Sequence, residues 1–177
     1  WATLASSLRY VPAPAEPTSG TLDTYFEVIE PSASDPPRDN PWAHSESFVS
    51  GPLRLTARET VHVPCKPSTS LEIGVGDEGD DRVAWWSGDS IVDIDFLTRI
   101  EPRTTVFFHD CTFVSYPGQV HGEFALLEKL PQAVRDKMVL MHHEDDLEEH
   151  RARAEECGFR IALPGHRYDL VTGQRVE

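Results

Sequence analysis

Val83-Ala-Trp-Trp-Ser-Gly-Asp89-Ser90 is the stretch on which the reading turns. Its first four residues, Val83 to Trp86, form a short continuous apolar run of the kind a buried strand makes. Ser87-Gly88-Asp89-Ser90 then breaks the run, because Gly and short polar residues favour turns. A carboxylate is left at the C-terminal end of an apolar strand. Upstream, Leu53, Leu55 and Ala57 alternate with Arg54, Thr56 and Arg58, the period of a half-buried strand, which runs into Val61-His62-Val63 and stops at Pro64. Leu71 to Val75 is a second strand, and the turn Gly76 to Asp81 leads it back into Val83 to Trp86 as a hairpin. Downstream the pattern alternates helix and strand. Ile94, Leu97 and Ile100 share a helical face, and Thr104 to Phe108 follows as a strand. Phe124, Leu127 and Leu130 make a second helical stripe ended by Pro131, and Met138 to Met141 is again a strand. Asp145 or Asp146 caps a helix that buries Leu147, Ala154 and Cys157, with Gly158 closing it. Phe159 to Leu163 reads as a further strand, with Tyr168 to Val171 a candidate for a last short one. The class is α/β, a sheet covered by helices.

The rest of the chain bounds the answer. With 177 residues, one domain is the default. Apolar residues make up 39%, enough for a core, and no apolar run approaches the roughly 18 residues that span a bilayer. Thirty acidic against 16 basic residues give a net charge of −14, which repels phosphate backbones and weighs against a general nucleic-acid binder. Cys65, Cys111 and Cys157 form no CxxC pair, so a reducing cytoplasm is the expected setting. Trp1 to Tyr10 reads as the end of a helix, Val11 to Gly20 as a proline-rich loop and Tyr25 to Ile29 as a strand. The Pro-rich stretch near 31–41 reads as a surface loop or insertion.

Three polar residues share one kind of position. His62, Asp89 and His142 each follow an apolar strand, where layered α/β folds gather ligands and catalytic groups. Two imidazoles and a carboxylate suit zinc or a similar ion, and a carboxylate can bridge two metals. His143 competes with His142, but His142 directly follows the apolar run. His44, His150 and His166 read as surface residues.

The order of these elements is what resembles a family. Thr60 to Ile73 with its His62, followed by Val83 to Ser90 with its Ser-Gly-Asp turn, resembles the metallo-β-lactamase superfamily, in its ribonuclease Z-like and phosphodiesterase branch. Phe108-His-Asp110-Cys-Thr-Phe113 is similar to that branch's His-Glu-Ala-Thr segment, and Val120-His121-Gly-Glu-Phe-Ala125 to its His-Ser-Thr segment opening a helix. Val139-Leu-Met-His142-His143 is similar to its final strand ending in a metal-binding His. The resemblance implies an αββα sandwich, of which residues 1–177 are a partial domain, the C-terminal part. It implies two divalent ions, Zn2+ first and Mn2+ second, with His62 on one, His142 on the other and Asp89 between them. His121 would be the general acid, its ring held by Asp110, with His109 in a supporting place. The implied activity is metal-dependent hydrolysis of phosphodiesters. The acidic balance favours small ones such as cyclic nucleotides over tRNA-sized ones, and another ester stays within the same fold's reach.

One departure weighs against these matches. The superfamily's His-x-His-x-Asp-His signature, which lies upstream and supplies further ligands, is absent from this sequence. Each ion would keep two protein contacts where a tight zinc site wants three or four. Trp1, in place of Met, would align just after the missing half. The first half is then a separate chain, a removed segment, or lost, in which last case the alternative is a catalytically inactive subunit serving assembly. An opened sandwich exposes a sheet edge and an apolar face, so the expected partner is a polypeptide carrying the first strands and the His-rich motif. Gel filtration of this chain alone should therefore show aggregates or a bound partner; a well-behaved monomer with native-like exchange protection counts against it.

Overall fold

Eight strands form one mixed sheet in strict chain order: β1 (Ser32–Ala33), β2 (Ser45–Ser50), β3 (Leu53–Thr60), β4 (Ser68–Gly74), β5 (Val83–Trp86), β6 (Thr104–Asp110), β7 (Met138–Met141) and β8 (Arg160–Ile161). This computed structural model describes residues 32–33, 45–64, 68–75 and 80–176. The expected helix end at Trp1 to Tyr10, the loop at Val11 to Gly20, the strand at Tyr25 to Ile29, most of the Pro-rich stretch, His44, Cys65 and Gly76 to Gly79 lie outside them. The chain divides into two units, Trp1–Pro31 and Ser32–Glu177, and the described residues all belong to the second.

From β1 to β5 every pair is antiparallel, and from β5 to β8 every pair is parallel. Parallel neighbours need crossovers, which helices supply. Here α1 (Ile94–Ile100) returns β5 to β6, α2 (Phe124–Leu127) and α3 (Gln132–Arg135) return β6 to β7, and α4 (Leu147–Glu156) returns β7 to β8. Asp93 starts α1, its carboxylate accepting the Phe96 N–H at 2.9 Å. Gly158 ends α4 in the left-handed region, φ +93°, as a C′ glycine does.

Strand alternation sorts the core. Trp85, Phe107, Met138 and Leu140 lie on the helix side, packed with Phe96, Leu97, Leu127, Val134 and Leu147 from all four helices. On the opposite side Ala84, Val106 and Val139 are buried beneath Phe108, Tyr168 and Leu170. That cover comes from a two-stranded ribbon, β9 (Arg167–Tyr168) with β10 (Arg175–Val176). Thr105 pins it by donating to the Leu170 carbonyl at 2.5 Å, and the Phe108 and Tyr168 rings meet edge to face at 5.3 Å. The same side continues across Leu55 and Leu71, both half-buried, to Trp86, which is 40% exposed. No described helix is long and apolar enough to cross a membrane.

Several expected boundaries move. Ser32–Ala33, inside the expected loop, pairs with β2, a strand that the sequence reading did not expect. The helix over Phe124 to Leu130 stops at Leu127 and tightens into i→i+3 turns, because a residue preceding Pro avoids helical geometry; Pro131 instead starts α3. Asp146 holds the first position before α4 without a side-chain cap bond. The strand at Phe159 to Leu163 shortens to Arg160–Ile161, and Tyr168 to Val171 shifts to Arg167–Tyr168, paired with β10, for which no expectation existed. His150 and His166 are half-buried instead of free on the surface: His150 stacks on Phe113 at 4.4 Å and His166 Nδ1 accepts the Leu163 N–H.

Phe107 is fully buried at the centre of the helix-side core. Phe107→Ala should cost about 3–5 kcal/mol of stability, read from urea unfolding midpoints.

Candidate metal centre

The C-terminal ends of β3, β5, β6 and β7 meet along one edge of the sheet. Antiparallel pairing twice, β3 to β4 to β5, restores the strand direction, so His62 just beyond β3 points to the same edge as Asp89 beyond β5. The parallel ladder runs on past the strands: Ser87 N–H donates to Phe108 O and Cys111 N–H to Met141 O, both at 2.9 Å. Gly88 turns the chain at φ +60°, where an added Cβ would stand 2.5 Å from the Thr69 carbonyl oxygen. Asp89, Asp110, His121 and His142 are gathered by this framework with one ligand atom of each within 4.8 Å of all the others.

Asp89 is the centre of the geometry. Its Oδ1 lies 3.4 Å from His142 Nδ1 and its Oδ2 lies 3.8 Å from His62 Nε2, so each oxygen faces a different imidazole. His62 itself stands outside the four-residue group and borders it at Asp89 and at the His121 ring. Its Nδ1–H donates to the Val120 carbonyl at 2.9 Å, which leaves the Nε2 lone pair on the side of Asp89. An imidazole fixed in this way is prepared as a metal ligand. The His142 backbone sits at φ +56°, a left-handed conformation that a non-glycine residue holds at a cost and that recurs at functional sites. The donor set of imidazole nitrogens and carboxylate oxygens fits a divalent transition ion.

Asp110 forms the second layer. It is the last residue of β6 and fully buried. Its Oδ2 accepts from His121 Nδ1 at 2.8 Å and from the Ser90 N–H at 3.2 Å. His109 Nδ1 lies 2.7 Å from the Asp110 carbonyl oxygen and 3.1 Å from Oδ1; its hydrogen is directed at the carbonyl, and Oδ1 keeps only the electrostatic part. Burial alone would raise the Asp110 pKa, yet the His109 and His121 rings and the Ser90 N–H outweigh it and hold the carboxyl below its ordinary value. The His121 ring lies between its neighbours, 4.9 Å from His62 and 5.2 Å from His142. With Nδ1–H committed to Asp110, its Nε2 is free for a ligand or a substrate oxygen. His143 turns the other way, Nε2 to the Ala162 carbonyl at 3.1 Å.

Contributors that the sequence did not mark are the Val120 carbonyl, the Ser90 N–H and the Ser87 hydroxyl, which accepts from the Asp110 N–H at 2.9 Å. Backbone groups carry no residue signature. Glu144 was also missed: it clamps the chain after β6, accepting from the Thr112 hydroxyl and from the Phe113 N–H at 3.2 Å.

A mixed sheet with this strand-end set defines a metallo-β-lactamase fold. The metallo-β-lactamase fold protein YhfI from Bacillus subtilis matches with a TM-score of 0.50 and 16% identity over 68% of this chain and 50% of that one. The family model described as anti-Pycsar protein Apyc1 matches residues 2–162, and the chain belongs to that family. Relatives named anti-Pycsar protein Apyc1 are 30% identical in Bacillus phage BSP38, over 71% of this chain and 49% of that protein, and 32% identical in Paenibacillus harenae, over 72% and 49%. The chain therefore spans about half the length of these relatives.

Glu144 supplies a pH test. Burial works to raise its pKa, but the Thr112 hydroxyl, the backbone N–H groups of Glu144 and Phe113 and the nearby His143 outweigh it, so its pKa lies below the usual 4.5. A depressed carboxylate contributes stability that is present above the unfolded pKa and lost as pH falls through the folded one. Glu144→Gln should melt below the parent at pH 7, with the gap closing as pH falls below about 4.5.

Proposed function

We propose that this chain is the C-terminal part of a metal-dependent phosphodiesterase acting on small nucleotide-type phosphodiesters, completed by a polypeptide half carrying His-x-His-x-Asp-His. The observation that supports it above others is the Asp89 carboxylate, with one oxygen toward His62 and the other toward His142. In this reading His62, His142 and Asp89 would hold the divalent ions, Zn2+ or Mn2+. When bound, such ions lower the pKa of water and polarise phosphoryl oxygens. His121 Nε2 holds the proton for the leaving oxygen, and buried, ionised Asp110 stabilises the imidazolium and fixes its orientation. The absence of a basic patch and the −14 charge favour a small substrate over a polynucleotide. The apolar face through Leu55, Leu71 and Trp86 is where the complementing half would pack, in keeping with the half-length match. The anti-Pycsar action named for the relatives would then belong to the completed protein.

The test uses the full-length protein, this chain with its upstream half. Elemental analysis should find two divalent ions per site, and 3′,5′-cyclic nucleotides should be hydrolysed. Asp89→Ala should lose the ions and nearly all activity. His121→Ala should keep the ions while kcat falls about 10²–10⁴-fold. A completed assembly that binds no metal would instead favour a non-catalytic subunit.

A further inference from the structure

Val114 to Gly118 form an exposed loop, yet the residues that close it serve two imidazoles of the cluster. Val120 offers its carbonyl to His62 Nδ1 at 2.9 Å, and the next residue is His121. One peptide group joins the two, its C=O belonging to Val120 and its N–H to His121. The side chain of Gln119 holds that peptide. Its Oε1 accepts the His121 N–H at 3.1 Å and the Val120 N–H at 2.9 Å, and its Nε2 donates to the Val114 carbonyl at 3.0 Å. These partners decide which way the amide faces, because an NH2 cannot accept from an N–H and an oxygen cannot donate to a carbonyl.

The loop is built to deliver Gln119 to this place. Tyr116-Pro117-Gly118-Gln119 makes a type II turn, with proline second, Gly118 third at φ +86°, and the Gln119 N–H returning to the Tyr116 carbonyl at 3.1 Å. On the outgoing side the Val114 N–H donates to Thr112 Oγ1 at 3.2 Å, and on the returning side the Thr112 N–H donates to the Gly122 carbonyl at 2.8 Å. Both flanks therefore rest on Thr112, just beyond β6, and Gln119 closes the neck between them.

The consequence follows from planarity. The C=O and N–H of a trans peptide lie in one plane and point in opposite directions, so a group that fixes the N–H also fixes the carbonyl. Gln119 Oε1, the Val120–His121 peptide and His62 Nδ1–H form a single chain of hydrogen bonds, in which each bond polarises the next. A carbonyl admits only a donor, which keeps the His62 hydrogen on Nδ1 and leaves the Nε2 lone pair toward Asp89, 3.8 Å away. Water in place of the Gln119 side chain would satisfy the same N–H without fixing its direction.

We propose that Gln119 is a positioning residue for the metal centre, acting through the Val120–His121 peptide to hold the His62 ring in its Nδ1–H form with Nε2 open to an ion. The inference rests on the reading of His62 as a metal ligand, a reading that its first test does not need.

The test compares Gln119→Met, which keeps the length of the side chain and loses its oxygen, with Gln119→Glu, whose carboxylate keeps both accepted N–H bonds and loses only the donation to Val114. Long-range proton–nitrogen NMR of the metal-free full-length protein, at about pH 8 and so above the ordinary imidazole range, reads the tautomer of each ring. The parent and Gln119→Glu should show His62 as Nδ1–H, and Gln119→Met a mixture of both forms. His143, whose Nε2 faces the Ala162 carbonyl, is the internal reference and should not change. Affinity for Zn2+ alone, read by competition with a chromophoric chelator, should fall about tenfold in Gln119→Met, the lower end of what losing an outer partner costs. In Gln119→Glu it should return at least to the parent level. The proposal is overturned by a parent His62 that is not Nδ1–H, by an unchanged His62 tautomer in Gln119→Met, by a change that His143 shares, or by a Gln119→Glu variant that behaves as Gln119→Met does. A lower melting temperature with unaltered His62 signals assigns Gln119 to the stability of the loop alone and overturns it equally. If the parent takes up no Zn2+, the reading of His62 as a ligand fails, while the tautomer comparison still decides the role of Gln119.

Discussion

The parallel register of β5, β6 and β7 is the constraint on which the rest of the molecule depends. Trp86 pairs with Phe108, and Asp110 pairs with Met141, so the residues just beyond each strand arrive at a common edge. Side chains alternate along a strand, and a slip of one residue would turn Asp110 and the core residue Phe107 to opposite faces together. The helix-side core therefore fixes the site. Phe107, Met138 and Leu140 cannot all be buried against the four helices unless Asp110 and His142 end where they do. Parallel strands also explain the helices, because each return to the start of the sheet must cross one face.

Backbone conformations at this edge carry a cost that the core offsets. Gly88 uses a left-handed φ against the Thr69 carbonyl, and His142 adopts a similar conformation without a glycine's freedom. At Gly122 an added Cβ would stand 2.2 Å from the Asp110 carbonyl oxygen, so the loop bearing His121 lies directly on the strand bearing Asp110. That close approach is what allows the 2.8 Å bond between the two side chains. Well-packed strands beneath can hold such strain in place.

Much of this was legible because strands and chemistry share a pattern in the sequence. Val83 to Trp86 and Met138 to Met141 are apolar runs that stop at a polar residue, and both the strand and the site residue could be read from that stop. Antiparallel β3 to β5 followed from alternation and from the turn between them. What escaped was whatever residue type does not encode. β2 is held by backbone pairing to β3, and only Phe48 and Val49 of its six residues are strand formers. The break after Leu127 is imposed by Pro131 acting backwards along the chain, against a stripe that reads as continuous. In the site, the groups that orient His62 and Asp110 are a carbonyl and an amide, present at every position. His109 was visible as a histidine, but its burial beside Trp85 depends on tertiary packing.

The charge of the cluster joins these observations. Asp89 and Asp110 bring two carboxylates to one edge, and the side chains that face them are imidazoles, those of His62 and His142 for Asp89 and those of His109 and His121 for Asp110. Asp110 stays ionised in full burial because its neighbours donate to it, not because a lysine or arginine neutralises it. Asp89 is 48% exposed and turns both oxygens outward to nitrogens at 3.4 and 3.8 Å, too far for hydrogen bonds of ordinary length. A carboxylate built only to stabilise the fold would gain more by closing those distances. A spacing that leaves room between oxygen and nitrogen suits groups that would share a third, positively charged centre.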